Sequence, residues 1–316
     1  MEEVVRAVGF RRFGGPEVIE ELELPVRRPG PGEVRVTVRA AGLNPTDLKV
    51  PGGALDGVVP HRFPVVLGWD LAGVVDATGE GTGWAPGEEV VGFVRSTPIA
   101  TGALAESAVV PAGVLARAPA GVEPVRAAAL PLAGLMADQL VEALGGRAGG
   151  AVLVLGAGGG VGVFVTQLLT RRGATVVGVD AADRHARLRE HGAAVALDRD
   201  RPLAGELAGV LPAGRVDAVV DLVGGPALAA AGAVLAPGGA VVSSVQPPQA
   251  VLGPGAGGSF VVVEPDGRRL DRLARDVEAG RLRIPPVDVV PFADAVPAVR
   301  GLGRPGHGWK TVVAVR

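Results

Sequence analysis

The chain has 316 residues, 31 basic and 33 acidic side chains, a net charge of −2 and no cysteine. A near-neutral balance without a basic block argues against nucleic acid as a partner, and the missing cysteine excludes disulfides, thiolate-bound metal and cysteine nucleophiles. Apolar residues make up 48%, enough to fill a large core, and the length suggests two domains.

The N-terminus, MEEVVRAVGFRRFGGPEV, lacks a basic segment followed by an apolar one. No secretory signal is expected, and the protein reads as cytoplasmic. Residues 1–122 are strand-like and cut by glycine and proline, the pattern of a small β-barrel or sandwich. GEVRVTVRAAGLN (32–44) alternates like a half-buried strand, and VVLGWDLAGVVDATG (65–79) and GEEVVGF (87–93) are further β runs.

Near Pro124 the texture changes to alternating strands and helices. AVLVLG (151–156), TVVGVD (175–180), AAVALD (193–198), VDAVVDLVG (216–224) and AVVSS (240–244) read as strands, with VGVFVTQLLTRR and DRHARLREHG among the helical stretches between them. Such alternation predicts right-handed crossovers and a parallel sheet covered on both faces. SFVVV (259–263) extends the sheet by a sixth strand, and QPPQAVLGPGAGG (246–258) reads as an irregular loop. After Glu264, DGRRLDRLARDVEAGRL is an amphipathic helix and WKTVVAVR a strand, both returning to the first domain. The expected organisation is therefore 1–122 with 264–316, and 123–263.

One stretch admits two readings. From Ala148 to Thr170, 23 residues carry no charge, long enough to span a bilayer. Seven of them are glycine, and each costs a helix interior about 1 kcal/mol against alanine. Ala151–Leu155 is a short apolar run, whereas Val161, Phe164, Val165, Leu168 and Leu169 fall at helical spacing. The stretch is strand, glycine turn, helix, and no membrane association is expected. Its turn, Gly156 to Gly162, aligns as Ala157-x-Gly159-x-x-Gly162, a variant of the dinucleotide fingerprint. Ala157, Gly158, Gly159, Gly160, Val161 and Gly162 would cradle a pyrophosphate at the helix N-terminus. Asp180 ends the second strand of this unit, where an acid binds both ribose hydroxyls of NAD and repels a 2′-phosphate. It could also cap the following turn, and Arg184 or Arg187 could instead meet a 2′-phosphate. NAD(H) is favoured over NADP(H).

His61, His185, His191 and His307 form no ligand pattern and read as surface polar residues. Two lysines against 29 arginines read as high-GC coding bias. No metal is expected.

The ordered blocks FGGPEVIE (13–20), PGEVRVTVRAAGLNPTD (31–47), FPVVLGWDLAGVV (63–75), APGEEVVGF (85–93), AALPLAGLMA (128–137), the fingerprint and LAPGGAVVSS (235–244) resemble the medium-chain dehydrogenases/reductases. The likeness is to the zinc-independent, quinone oxidoreductase-like branch. It implies an α/β chain: a GroES-like β-barrel domain, a Rossmann doubly wound parallel sheet domain, and an active-site cleft between them. It also implies hydride transfer from a nicotinamide to a quinone or α,β-unsaturated carbonyl, and a homodimer joined through the Rossmann edge strand SFVVV. Zinc-bearing relatives place a cysteine at Asn44 and a histidine at Trp69. On this likeness Asn44 orients substrate or cofactor, Asp47 orients a water or Lys49 unless it is a turn residue, and Trp69 walls the cleft unless it is core. Asp70 hydrogen-bonds backbone, and Met136, Val223 and Val245 lie at the cofactor, with the 246–258 loop closing over it. The family tyrosine has no counterpart, since the chain contains none, and Met136 replaces a threonine. These departures leave open a nucleotide-binding protein with a structural, sensing or other non-redox role.

Overall fold

The computed structural model describes residues 3–211, 213–255, 257–303 and 309–316; His307 lies outside them. The chain divides into two compact units, Met1–Leu132 with Pro265–Arg316, and Ala133–Glu264.

The first unit opens with β1 (Val4–Phe10) and β2 (Glu20–Pro25), an antiparallel pair, followed by β3 (Glu33–Gly42). In β3 the alternation is as its sequence implies: Val34, Val36 and Val38 are fully buried, while Arg35 and Thr37 reach across to Asp76 on the outer face at 2.8 and 3.1 Å. A one-turn helix, α1 (Thr46–Lys49), follows. The run 65–79 is not one strand. It splits into β4 (Val65–Val66), which pairs with β1, and β5 (Asp70–Thr78), which pairs with β3. The break is at Gly68, whose φ of +79° no strand accommodates. Then come β6 (Glu89–Phe93), β7 (Ser107–Pro111), β8 (Leu115–Arg117) and the short α2 (Pro124–Ala127). α2 packs on β3 and β5, so this unit's first segment continues beyond 122. α3 (Pro131–Ala143) carries the chain into the second unit.

The second unit contains β9 (Ala151–Leu155), α4 (Gly160–Arg171), β10 (Thr175–Asp180), α5 (His185–Glu190), β11 (Val195–Asp198), α6 (Leu203–Ala208), β12 (Val216–Asp221), α7 (Gly225–Ala233), β13 (Leu235–Ser243), α8 (Gln249–Leu252) and β14 (Gly258–Phe260). Among the described residues its six strands form one sheet in the order β11-β10-β9-β12-β13-β14, every pair parallel. The β9 and β12 strands are buried almost throughout, including Leu153 and Val219 at 0% exposure, as a sheet covered on both faces requires.

Three sequence expectations need correction here. The 246–258 stretch, apart from residue 256, which lies outside the described residues, is not wholly irregular. Pro247 and Pro248 lead into α8, because proline's fixed φ suits a first helical turn, and Gly253 at φ +91° ends it. The sixth strand covers 258–260 rather than 259–263. His191 is buried, not a surface residue, because the chain turns inward after α5. The uncharged stretch becomes the five residues of β9, the glycine turn and the twelve of α4, and among the described residues no helix is long and apolar enough to cross a membrane.

The chain returns to the first unit with α9 (Gly267–Glu278), capped by Asp266, whose side chain accepts the Arg269 N–H at 2.9 Å. β15 (Val287–Pro291), α10 (Ala295–Arg300) and β16 (Lys310–Ala314) follow. β16 pairs with the end of β3, giving a larger sheet ordered β15-β16-β3-β5-β6-β8, with β7 also on β3, beside the smaller β2-β1-β4 sheet.

Candidate active site

Strand register assembles the polar centre of the first unit. Gly42 at the end of β3 stands opposite Asp70 of β5 on one side and Val312 of β16 on the other. The next residues of β3's exit, Leu43 and Asn44, therefore meet the first residues of both neighbours. A Cβ on Gly42 would lie 2.5 Å from the Ala128 carbonyl oxygen, so only glycine lets α2 approach here.

Asp70 is fully buried. Its carboxylate accepts the Leu132 N–H at 2.5 Å, the Asn44 amide at 2.9 Å and the Lys310 ammonium at 2.7 Å. Lys310, with a side chain 7% exposed, donates also to Asn44 Oδ1 at 2.6 Å and to the Leu43 carbonyl at 3.1 Å. Three acceptors match the three protons of an ammonium. Between cation and anion the Asn44 amide has one orientation, oxygen toward Lys310 and nitrogen toward Asp70. One Nδ2 hydrogen is committed to Asp70, while among the described residues the other has only the Gly42 carbonyl at 3.4 Å, beyond ordinary length. Lys310 draws density from Oδ1, and hydrogen bonds polarise one another along such a chain. The loosely held hydrogen is thus the strengthened, under-used donor of the cluster.

Asp47 lies beside it, 2% exposed. Its oxygens accept the backbone N–H groups of Asn44 at 2.7 Å and Gly68 at 2.8 Å, so it fixes the Asn44 backbone and the Gly68 turn together. Burial pushes its carboxyl up from 3.8 to about 6, against the opposing pull of those two N–H groups and of Lys310. Trp69 is buried and packs edge-on to Phe93, ring centres 6.1 Å apart. A cavity of about 210 Å³ elsewhere in this unit, lined by Val5, Leu24, Phe63 and Val109 among others, includes none of these residues.

In the second unit the glycine turn leaves β9 and enters α4. A Cβ on Gly162 would run into the Gly156 carbonyl and the Ala157 backbone, so the helix meets the turn only through glycine. Asp180 closes β10 and is buried. It accepts the Gly158 N–H at 2.8 Å and the Ala181 N–H at 2.8 Å, and Arg184 stands 3.4 Å away. Arg187 donates to the Gly158 carbonyl at 3.1 Å. Of the two arginines named in the sequence, Arg184 thus stands at the acid and Arg187 at the turn that the acid pins, and the acid also caps Ala181. The first-turn amides of α4, from Gly160 onward, lack carbonyl partners within their own helix and face the end of the sheet where ligands bind in such folds. Met136 is buried in α3; Val223 and Val245 are 52% and 41% exposed.

Sequence reasoning missed Lys310, Asp221 and Ser243. Lys310 is one of two lysines, and Asn44 the single asparagine of the chain. In a composition that disfavours both types, the rarity of each was the available signal. Asp221 repeats the signature of Asp180, an acid ending an apolar strand.

The profile described as alcohol dehydrogenase GroES-like domain matches residues 30–120, and that described as zinc-binding dehydrogenase matches residues 192–313. A chloroplast envelope quinone oxidoreductase homolog of Arabidopsis thaliana is 32% identical over 70% of this chain and 69% of its own length. Erythronolide synthase EryA2 of Saccharopolyspora erythraea is 32% identical over 94% of this chain, which spans 8% of that protein. The quinone oxidoreductase structure from Coxiella burnetii superposes with a TM-score of 0.86 at 26% identity, covering 99% of this chain and 100% of that one. The zinc in the second description does not fit these residues: the chain has no cysteine, and among the described residues no three His, Asp or Glu side chains come together to hold a metal.

Proposed function

The chain belongs to the medium-chain dehydrogenases/reductases, in the quinone oxidoreductase-like branch of NAD(P)-dependent oxidoreductases, and from this premise we propose that it reduces a quinone or an α,β-unsaturated carbonyl with NAD(H), without a metal. The observation that carries the proposal is the glycine turn after β9, where a tight backbone approach, a helix N-terminus and the buried Asp180 converge. Gly158–Gly162 would hold the pyrophosphate, and Asp180 the adenine ribose, its charge setting NAD(H) over NADP(H).

When bound, the reduced nicotinamide supplies the hydride. Reduction of a conjugated carbonyl puts negative charge on its oxygen, which a fixed donor stabilises. Asn44 is assigned that task, with the hydrogen that Gly42 holds loosely. Asp47 fixes the backbone of Asn44 and stays an acceptor of N–H groups, and the proton comes from solvent. The match of 94% of this chain to a segment of an erythronolide synthase supports a role in specialised biosynthesis as one setting for this reduction. A homodimer through the edge strand β14 is part of this reading, supported by the exposed Phe260 at its end and Val262 just beyond; sedimentation as a monomer at micromolar concentration would remove it.

The test is oxidation of NADH by the purified protein with a panel of quinones and enones. Turnover on at least one class is expected. NADH binding with no turnover on any would identify a nucleotide-binding protein without redox function.

A further inference from the structure

The ends of β12 and β13 carry a polar pair that the reading above does not use. The two strands are parallel neighbours, with Asp221 and Ser243 in register at their C-terminal ends. Both are fully buried. The Ser243 hydroxyl donates to Asp221 Oδ2 at 2.7 Å. Asp221 Oδ1 accepts the N–H groups of Val223 at 3.0 Å and Gly224 at 2.7 Å. Ser243 Oγ, its proton spent on Asp221, accepts those of Val245 at 3.1 Å and Gln246 at 3.4 Å. One linked pair therefore holds four backbone amides in two different loops.

These loops lift two valines into solvent. A Cβ on Gly156, the first glycine of the turn, would lie 3.1 Å from Val223 Cγ2, and one on Gly224 would lie 3.0 Å from Val245 Cγ1. The valines thus continue outward from the glycine turn. The strand order reverses between β9 and β12, and in open α/β sheets the ligand crevice lies at that reversal, beyond the C-terminal strand ends. An apolar pair held rigidly open at this place suits a flat, weakly polar ring.

We propose that Asp221 and Ser243 are positioning residues that pre-form a two-valine platform, Val223 and Val245, for the nicotinamide end of the dinucleotide. The proposal rests on the reading that this unit binds such a cofactor. Pre-forming both loops removes the cost of ordering them on binding. Two ligands separate this role from a general contribution to folding. ADP-ribose offers the adenosine and pyrophosphate alone; NADH adds the nicotinamide.

Calorimetric titration of the wild type and of Ser243→Ala with each ligand is the test. The expected result is at least a tenfold rise in the NADH dissociation constant and less than a twofold change for ADP-ribose. Equal changes for the two ligands, or none, would overturn the proposal. If Ser243→Ala does not fold, Val245→Ser, at an exposed position, takes its place with the same expected split. A wild type that binds ADP-ribose but gains nothing from the nicotinamide would overturn the platform alone; one that binds neither ligand overturns the cofactor reading as well.

Discussion

In the first unit the fully buried Asp70 faces an ammonium, an amide side chain and one backbone N–H group, while in the second the equally buried Asp221 faces two backbone N–H groups and a hydroxyl. The partners decide what each acid can organise. A carboxylate neutralised by Lys310 leaves the intervening Asn44 amide oriented, polarised and with a donor to spare. A carboxylate satisfied by backbone amides has its capacity used in shaping loops, so whatever those loops present must come from other side chains. One arrangement prepares a hydrogen-bond donor; the other prepares a surface.

The strongest way to break this contrast is to remove the cation. Lys310→Met leaves Asp70 buried without its counter-ion, and stability should fall by about 3–5 kcal/mol in urea titration. Lys310→Met combined with Asp70→Asn should regain much of that loss. If Lys310→Met is as stable as wild type, the ammonium is not what balances Asp70.

Asp47 sharpens the comparison, being an acid of the first unit that among the described residues is hydrogen-bonded only by backbone, as Asp221 largely is. Below 3.8 its carboxyl is neutral in both folded and unfolded chains, and above about 6 it is ionised in both; between, the folded chain holds more of the proton. Its contribution to stability therefore falls as pH rises through that window, by roughly 1.4 kcal/mol per pH unit at most. Asp47→Asn should abolish that slope in urea titrations across the window. An unchanged slope would remove Asp47 as its source.

Asn44→Ala tests the donor itself. Turnover on a good substrate should drop about tenfold, or roughly 1.4 kcal/mol of barrier, with NADH affinity within a few-fold of wild type. Unchanged turnover would take Asn44 out of the reaction. The smallest effect lies in the second unit. NADH should bind about threefold tighter than NADPH, less than 1 kcal/mol, because Arg184 beside Asp180 offsets part of the acid's repulsion. A tenfold preference for NADPH by direct titration would overturn the assignment.

What the sequence disclosed follows from the range of the interactions. Strand β3 was legible because alternation is local, and β9, the turn and α4 because a change of period and a glycine cluster sit within twenty residues. The split between β4 and β5 was not, since one glycine held at positive φ by Asp47's grip on its N–H leaves no periodic trace. The short α8 hid behind a Pro-Gly composition that usually marks irregular chain. Asn44 and Asp47 were found through a likeness, but their partners were beyond local reading: Asn44 answers to Asp70 and to Lys310, brought in by the register of three strands. Asp221 was visible as an acid ending an apolar run, yet nothing in its neighbourhood announced a hydroxyl 22 positions further on.

Lys310 lies 266 residues after the asparagine it orients. On a ribosome adding roughly 5–20 residues per second, Asn44 and Asp70 wait on the order of tens of seconds for their cation. During that interval the whole second unit emerges and can fold as a unit of its own, while the first has strands β3 and β5 but no neutralised centre. Its polar centre is completed from a distant part of the chain, so a nascent or prematurely stopped product can carry a formed second unit and an unfinished first one. A chain stopped before Lys310 therefore leaves Asp70 and Asn44 without the ammonium that both bond.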